Sequence, residues 1–198
     1  MRTPLVLFAA LLLLDASLAS GQSVRTTPST ASEYDEEAAA RTAAALAGTW
    51  KSAEERIPLN SPFDVSVWGK GATSVRAVEL TAKASGEATV TVTRKVVDAR
   101  GRTVPGSTAI EHASLIIGES RAGLASRREY DTKVSKAERR YPDMPGATWP
   151  LDGLKVRLAV FDGANPQTLE IRFDTPEGDG SFWETLRRAA ATAKRAAP

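Results

Sequence analysis

The chain contains no cysteine, a single histidine (His112) and few aromatic residues, with four Trp, three Tyr and five Phe among 198 residues. Without cysteine there is no disulfide framework, no thiol nucleophile and no cysteine-based metal site. One imidazole leaves one candidate histidine base, and no Gly-x-Ser-x-Gly elbow accompanies it. Lying between Glu111 and Ala113, His112 reads as a half-exposed strand residue. A haem group would need an axial ligand inside the fold, and the last strands contain no histidine. A carboxylate pair would assemble only in the fold, so spacing does not reveal one. The segment Asp174–Gly180 has oxygen ligands and glycines but does not match a calcium-loop pattern. The expectation is therefore a non-enzyme with no cofactor, no metal and no catalytic residue.

A strong charge of either sign is also missing. The formal net charge is +2, too small to demand an anionic partner. The densest basic stretch, Arg127 to Arg140, is interleaved with Glu129, Asp131 and Glu138 and offers only Tyr130 and the adjacent Tyr141 for stacking. It reads as a solvated strand face, and no nucleic-acid partner is expected.

Long apolar runs are absent with one exception. Leu5 to Leu14 is unbroken, follows Arg2, and is succeeded by the small-residue tail Ala16-Ser17-Leu18-Ala19-Ser20-Gly21. This is the pattern of a signal peptide over residues 1–21, cleaved after Ala19 or Gly21. The run is too short for the roughly 20 residues that cross a bilayer, so no integral membrane segment is expected after cleavage. The implied product is exported, periplasmic or secreted. Lacking disulfides, it must be held by its core alone.

What is present organises itself in order. Residues 22–31 are polar, contain Pro and read as a flexible leader. Residues 32–198 read as a single domain. Ser32 and Asp35 resemble a capping box, acidic residues crowd the first turn, and Gly48 stands at a stop position, so Glu33 to Ala47 is expected to be helical. From Thr49 the period changes to two. Strands are expected over Thr49–Arg56, Asp64–Trp68, Val78–Ala84, Ala88–Thr93, Ala109–Ile117, Arg127–Arg139, Leu154–Phe161 and Thr168–Phe173. Hairpin turns are expected at Ser85-Gly86-Glu87, Asp98–Gly101 and Asp162–Pro166. Ser181 and Glu184 form a capping box before a stripe of Phe182, Leu186, Ala189 and Ala193, which predicts a C-terminal helix over Phe182–Ala196 packed on the sheet.

A helix, then Gly48-Thr49-Trp50 opening the first strand, then an antiparallel meander of about eight strands, then a C-terminal helix, resembles the lipocalin-like (calycin) β-barrel family. The resemblance covers most of residues 32–198 in element order, and its only motif is Gly48-x-Trp50. It implies a mainly β fold in which Trp50 packs across the closed end of the barrel. It also implies an Arg near the last strand lying over that Trp. The candidate is Arg172, although Arg172 alternates with Leu169, Ile171 and Phe173 onto the opposite face.

Arg94 stands out because it continues the apolar register of Ala88, Val90 and Val92. An inward Arg needs a carboxylate partner, a place at the rim or a ligand anion. The family resemblance implies a cavity for an apolar or amphipathic small molecule. The expected site residues are Trp50, Val78, Leu80, Val90, Val92 and Arg94, with an acidic amphiphile presenting its carboxylate to Arg94. The alternative is a non-catalytic cell-envelope structural or protein-interaction module with a filled β core. A ligand barrel needs a cavity of roughly 300 Å³ or more, which a filled core lacks.

Overall fold

Strand residues alternate between two faces, so a run with apolar residues at every second position covers a core with one face only. The computed structural model, which describes residues 43–122, 127–144, 146–161, 166–176, 178 and 180–190, contains ten strands, all but two short ones (the second and the seventh) burying residues in this way. They are β1 (Gly48–Lys51), β2 (Glu55–Pro58), β3 (Thr73–Ala82), β4 (Glu87–Val97), β5 (Ala109–Ala122), β6 (Arg127–Arg140), β7 (Thr148–Pro150), β8 (Lys155–Phe161), β9 (Thr168–Asp174) and β10 (Phe182–Arg188). Every described residue belongs to one compact unit, Ala31–Pro198. The expected signal peptide and leader lie outside the described residues.

All pairings are antiparallel, and β1 pairs with both β10 and β3, which closes the sheet on itself. β2 continues β1 along the same edge of β3, and β7 precedes β8 along the same edge of β6. The result is a closed barrel of eight staves in meander order. Closure removes the sheet edges that an open meander would leave unpaired. The break between β1 and β2 is held at Ser52, whose N–H donates to the Val78 carbonyl (2.9 Å) and whose Oγ accepts from Val78 N–H (2.9 Å).

The inward faces form one continuous core. It includes Trp50, Val78, Leu80, Val90, Val92, Leu115, Ile117, Leu158, Leu169, Ile171, Phe173 and Leu186, each 4% exposed or less. At about 25 cal/mol per Å² of apolar area removed from water, such a core can hold a disulfide-free domain. Residues 43–46 are helical, in agreement with the end of the expected helix, whose earlier residues lie outside those described. Gly48 follows with φ 126°, a conformation that L side chains rarely adopt, and turns the chain into β1. The hairpins at Gly86 and Asp98–Gly101 are as expected, with Gly101 N–H donating to the Asp98 carbonyl (2.9 Å). The loop at Asp162–Pro166 lies largely outside the described residues.

Two expectations about elements are overturned. Asp64–Trp68 is not a strand but part of a short helix, Pro62–Trp68. Ser61 caps it, its Oγ accepting from Asp64 N–H (3.0 Å), and Pro62 occupies the first turn. Cap and proline outweigh the short Val65/Val67 alternation.

The C-terminal helix is instead strand β10 over Phe182–Arg188, and residues 191–196 lie outside those described. Phe182 and Leu186 fit a period of two as well as a helical stripe, because they are four apart. Tertiary pairing decides: six residues of β10 register with β9, and Trp50 and Lys51 register with its end. The Ser181 hydroxyl, expected to cap a helix, accepts from Thr175 N–H instead (3.0 Å).

Candidate functional site

The two ends of the barrel are built differently. At the first, Trp50 is fully buried and its Nε1–H donates to the Leu46 carbonyl (2.8 Å). The guanidinium of Arg188 lies 4.4 Å from the centre of the Trp50 ring. It donates to the carbonyls of Ala47 (2.7 Å) and Ala45 (2.8 Å), where the helical turn ends and carbonyls lack intrahelical partners. The Arg over Trp50 is therefore Arg188 and not Arg172. Arg172 points outward and donates from Nε to Asp174 (2.9 Å). Arg188 falls in the segment read as helical, which hid its alternation with Phe182, Glu184 and Leu186.

At the opposite end the inward face changes from apolar to charged. Glu111 on β5 is fully buried between two arginines. Arg94 Nε donates to its Oε2 (3.4 Å), and Arg139 Nε and Nη2 reach its Oε1 at 2.9 and 2.7 Å. Arg94 also donates to the Gly180 carbonyl and lies 5.4 Å from the Phe182 ring centre. Arg76 stacks on the same ring at 4.2 Å and pairs with Glu184 (3.2 Å) and Glu55. Burial pushes the Glu184 carboxyl above its ordinary range, the nearby Arg76 charge opposing this and Glu55 adding to it. Gly180 permits the close approach: a Cβ there would lie 3.3 Å from Arg94 Nη2, on a backbone with φ 73°.

Of the three readings open for Arg94, pairing with a carboxylate is the one found. Glu111 sits in register with the apolar set Ala109, Ala113, Leu115 and Ile117, so the signal was present in the sequence.

The structure brings Trp50, Val78, Leu80, Val90 and Val92 together inside the barrel, each 2% exposed or less. None of these five, nor Arg94, lines any of the four surface grooves. His112 is half-buried beside Thr91 (Nδ1 to Oγ1, 3.1 Å), and its pKa is lowered by burial and by Arg140, with Glu138 acting in the opposite sense.

A site that periodicity did not disclose lies in the wall between β6 and β8. Their register ends at Tyr130↔Leu158. β6 regains a neighbour on that side only at Ala137, whose carbonyl accepts from Leu151 N–H (3.0 Å), followed by Glu138↔Pro150. Between these points the Thr132 hydroxyl donates to the Val156 carbonyl across the gap. A slot of about 520 Å³ occupies it, lined mainly by charged side chains, with Val134 half-buried and Tyr130, Leu154, Val156 and Leu158 behind it in the core, each 5% exposed or less.

The rim of the slot is polar and unevenly charged. Arg157 and Arg172 share one carboxylate, Asp174 (3.4 and 2.9 Å), and Lys155 has no ion pair among the described residues. On the other side Arg127 lies between Glu129 (3.5 Å) and Glu170 (3.3 Å) and over the Trp183 ring at 4.8 Å. Arg127 Nε and Glu170 Oε2, both buried, make these ion-pair contacts without hydrogen-bond geometry. The arrangement can hold an anion near Lys155, Arg157 and Arg172, with Val134 the apolar side chain beside it that is not fully buried.

Five strands, β5, β6, β8, β9 and β10, contribute to the slot, and only their pairing in the barrel creates it. A weak signal existed in the Pro- and Gly-rich stretch from Pro142 to Gly153, which interrupts the neighbour of β6. No protein-family model matches the chain, and no curated protein is detectably similar to it in sequence.

Proposed function

We propose that the chain is a lipocalin-like, non-catalytic binding protein that holds an acidic amphiphile in the slot between β6 and β8. The observation that carries this reading is a slot beside Val134 whose rim holds Arg157 and Arg172 on a single carboxylate, Asp174, next to Lys155, which has no ion pair among the described residues. The closed eight-stave barrel and the Arg188–Trp50 stack support the calycin-like assignment, since both follow from the resemblance carried by Gly48 and Trp50. Export to the periplasm or the exterior is proposed from Leu5–Leu14 and the small residues after it. In this reading the ligand rests on the β6–β8 side of the core to which Val78, Leu80, Val90 and Val92 also belong.

Titration with tetradecanoic acid and tetradecanol tests the proposal. A charge-assisted contact is worth about 1.5–3 kcal/mol, so the acid should bind roughly 10- to 150-fold more tightly than the alcohol. The double variant Arg157→Met/Arg172→Met should lose that preference while leaving the alcohol unchanged. Equal binding of acid and alcohol to the wild type defeats charge recognition. A preference that survives the double variant but disappears in Arg94→Met would return the site to the barrel interior.

One observation favours a second reading, a filled-core interaction module: the interior positions expected to line a cavity are packed to 2% exposure or less. Absence of binding by either compound would support it.

A further inference from the structure

A strand places residues two apart on one face, about 7 Å from each other, and sets its neighbour about 5 Å away. In the register of β8 with β9, Lys155 stands opposite Asp174 and Arg157 opposite Arg172. All four alternate with buried residues and face away from the core. They therefore occupy the corners of a rectangle of about 5 by 7 Å beside the slot.

Three of the corners are cationic. Like charges directly opposite each other on a sheet destabilise it, and both arginines turn to the one carboxylate in reach. Arg172 donates from Nε to Asp174 Oδ1 (2.9 Å), and Arg157 donates from Nη2 to Oδ2 (3.4 Å). Lys155 has no ion pair among the described residues. Two positive charges thus remain beyond the one that Asp174 offsets. The Arg157 and Arg172 side chains are 63% and 45% exposed, so their other N–H groups are open to a ligand.

The other carboxylates of the slot are engaged elsewhere. β6 leaves the register after Tyr130↔Leu158. Asp131, which continued pairing would set opposite Arg157, holds Arg121 instead (2.5 Å). Glu129 and Glu170 both hold Arg127, which leaves that side negative and the anion site on the Arg157 side. Asp152, three residues before Lys155, lines a different groove beside Tyr141 and Trp149. The divergence that opens the slot is the same feature that leaves its cations in excess.

A carboxylate head would offset one of the two charges. A phosphate monoester carries roughly −1.5 to −2 at pH 7 and presents three acceptor oxygens to the guanidinium forks. We infer that the head group taken by the slot is a phosphate monoester, seated among Lys155, Arg157 and Arg172. This assignment rests on the slot being the amphiphile site proposed above and narrows the head group that site accepts.

Calorimetric titration of the full chain at low ionic strength tests it, with tetradecyl phosphate, tetradecyl sulfate and tetradecanoic acid each kept below its micelle concentration. The sulfate has the shape of the phosphate and a single charge, so the pair separates charge from shape. The phosphate should bind at least about tenfold more tightly than either of the others. Lys155→Met, at an exposed position, should cut that ratio to below about threefold. Lys70→Met, which removes the same charge outside the slot, should leave the ratio intact. Phosphate bound no more tightly than sulfate, while acid binding still requires Arg157 and Arg172, overturns the phosphate assignment and leaves the amphiphile site standing. A ratio that survives Lys155→Met also overturns it. Methyl phosphate bound as tightly as tetradecyl phosphate supports phosphate recognition and overturns the amphiphile reading instead. Failure of every compound to bind removes both.

Discussion

Both ends of the barrel place arginine against an aromatic ring, but they satisfy the guanidinium in opposite ways. Arg188 on Trp50 is held by the neutral carbonyls of Ala45 and Ala47 at the end of a helical turn. Arg94 and Arg76 on Phe182 are held mainly by the carboxylates of Glu111, Glu184 and Glu55. The second arrangement depends on carboxylates and so responds to loss of a partner, and burial raises the pKa of one of them, Glu184. One inward Arg closes the barrel, and the others form a polar layer above its core.

The most severe change removes closure itself. Truncation after Gly180 deletes β10, exposing the edges of β9 and β1 and taking Phe182 and Leu186 out of the core. Cooperative thermal unfolding should be lost, with aggregation from the uncovered apolar surface. A truncated protein that melts like the parent would show that the barrel does not need its last stave.

Next come the two anchors of the first end. Trp50→Ala should cost about 3–5 kcal/mol in denaturant unfolding, as a buried large-to-small change does. A loss below about 1 kcal/mol would place Trp50 outside the core. Arg188→Met, which removes three charged-donor hydrogen bonds, to the carbonyls of Ala45, Ala47 and Pro166, and a ring contact, should cost about 2–4 kcal/mol. Arg172→Met breaks an exposed ion pair and should cost less than about 1 kcal/mol. The reverse order would restore Arg172 as the residue over Trp50.

At the other end, Glu111→Gln leaves two guanidinium groups without their shared charge. Both are about a fifth to a quarter exposed, so the loss should sit near the lower bound for a broken buried pair, about 3 kcal/mol. A neutral result would mean that water already satisfies the arginines.

The smallest effects concern pH. The pKa of Glu184 is raised on folding, so its contribution is full below the ordinary value of 4.5 and is lost as pH rises through the folded value. The pKa of His112 is lowered, so its contribution is full above 6.5 and is lost as pH falls through the folded value. His112→Gln should flatten the stability–pH curve below pH 6.5, as read from urea midpoints across that range. An unchanged slope would assign it to other groups.

The fold was largely legible because alternation and hairpin turns are local, and the turns at Gly86 and Asp98–Gly101 and the alternation of the described strands between Val78 and Ile171 were as expected. Elements failed where a local pattern had two solutions. Phe182 and Leu186 satisfy helix and strand equally, and only pairing with β9 and β1 chooses between them. Val65 and Val67 lost to the cap chemistry of Ser61 and Pro62. The inward placement of Arg94 was legible, and its partner Glu111 could have been read from the same register. The slot was not legible. It arises from where β6 parts from β8, a property of strand register around a closed barrel that no single segment records.

The central claim is that an acidic amphiphile is recognised in the wall slot, and amide shift mapping tests it most directly. Titrating isotope-labelled protein with tetradecanoic acid should move the resonances of residues 130–136 and 154–158 and the side-chain signals of Arg157 and Arg172. Those of Trp149 and Tyr141 should stay in place. Shifts centred on Tyr141 and Trp149, or no shifts at saturating acid, would contradict it.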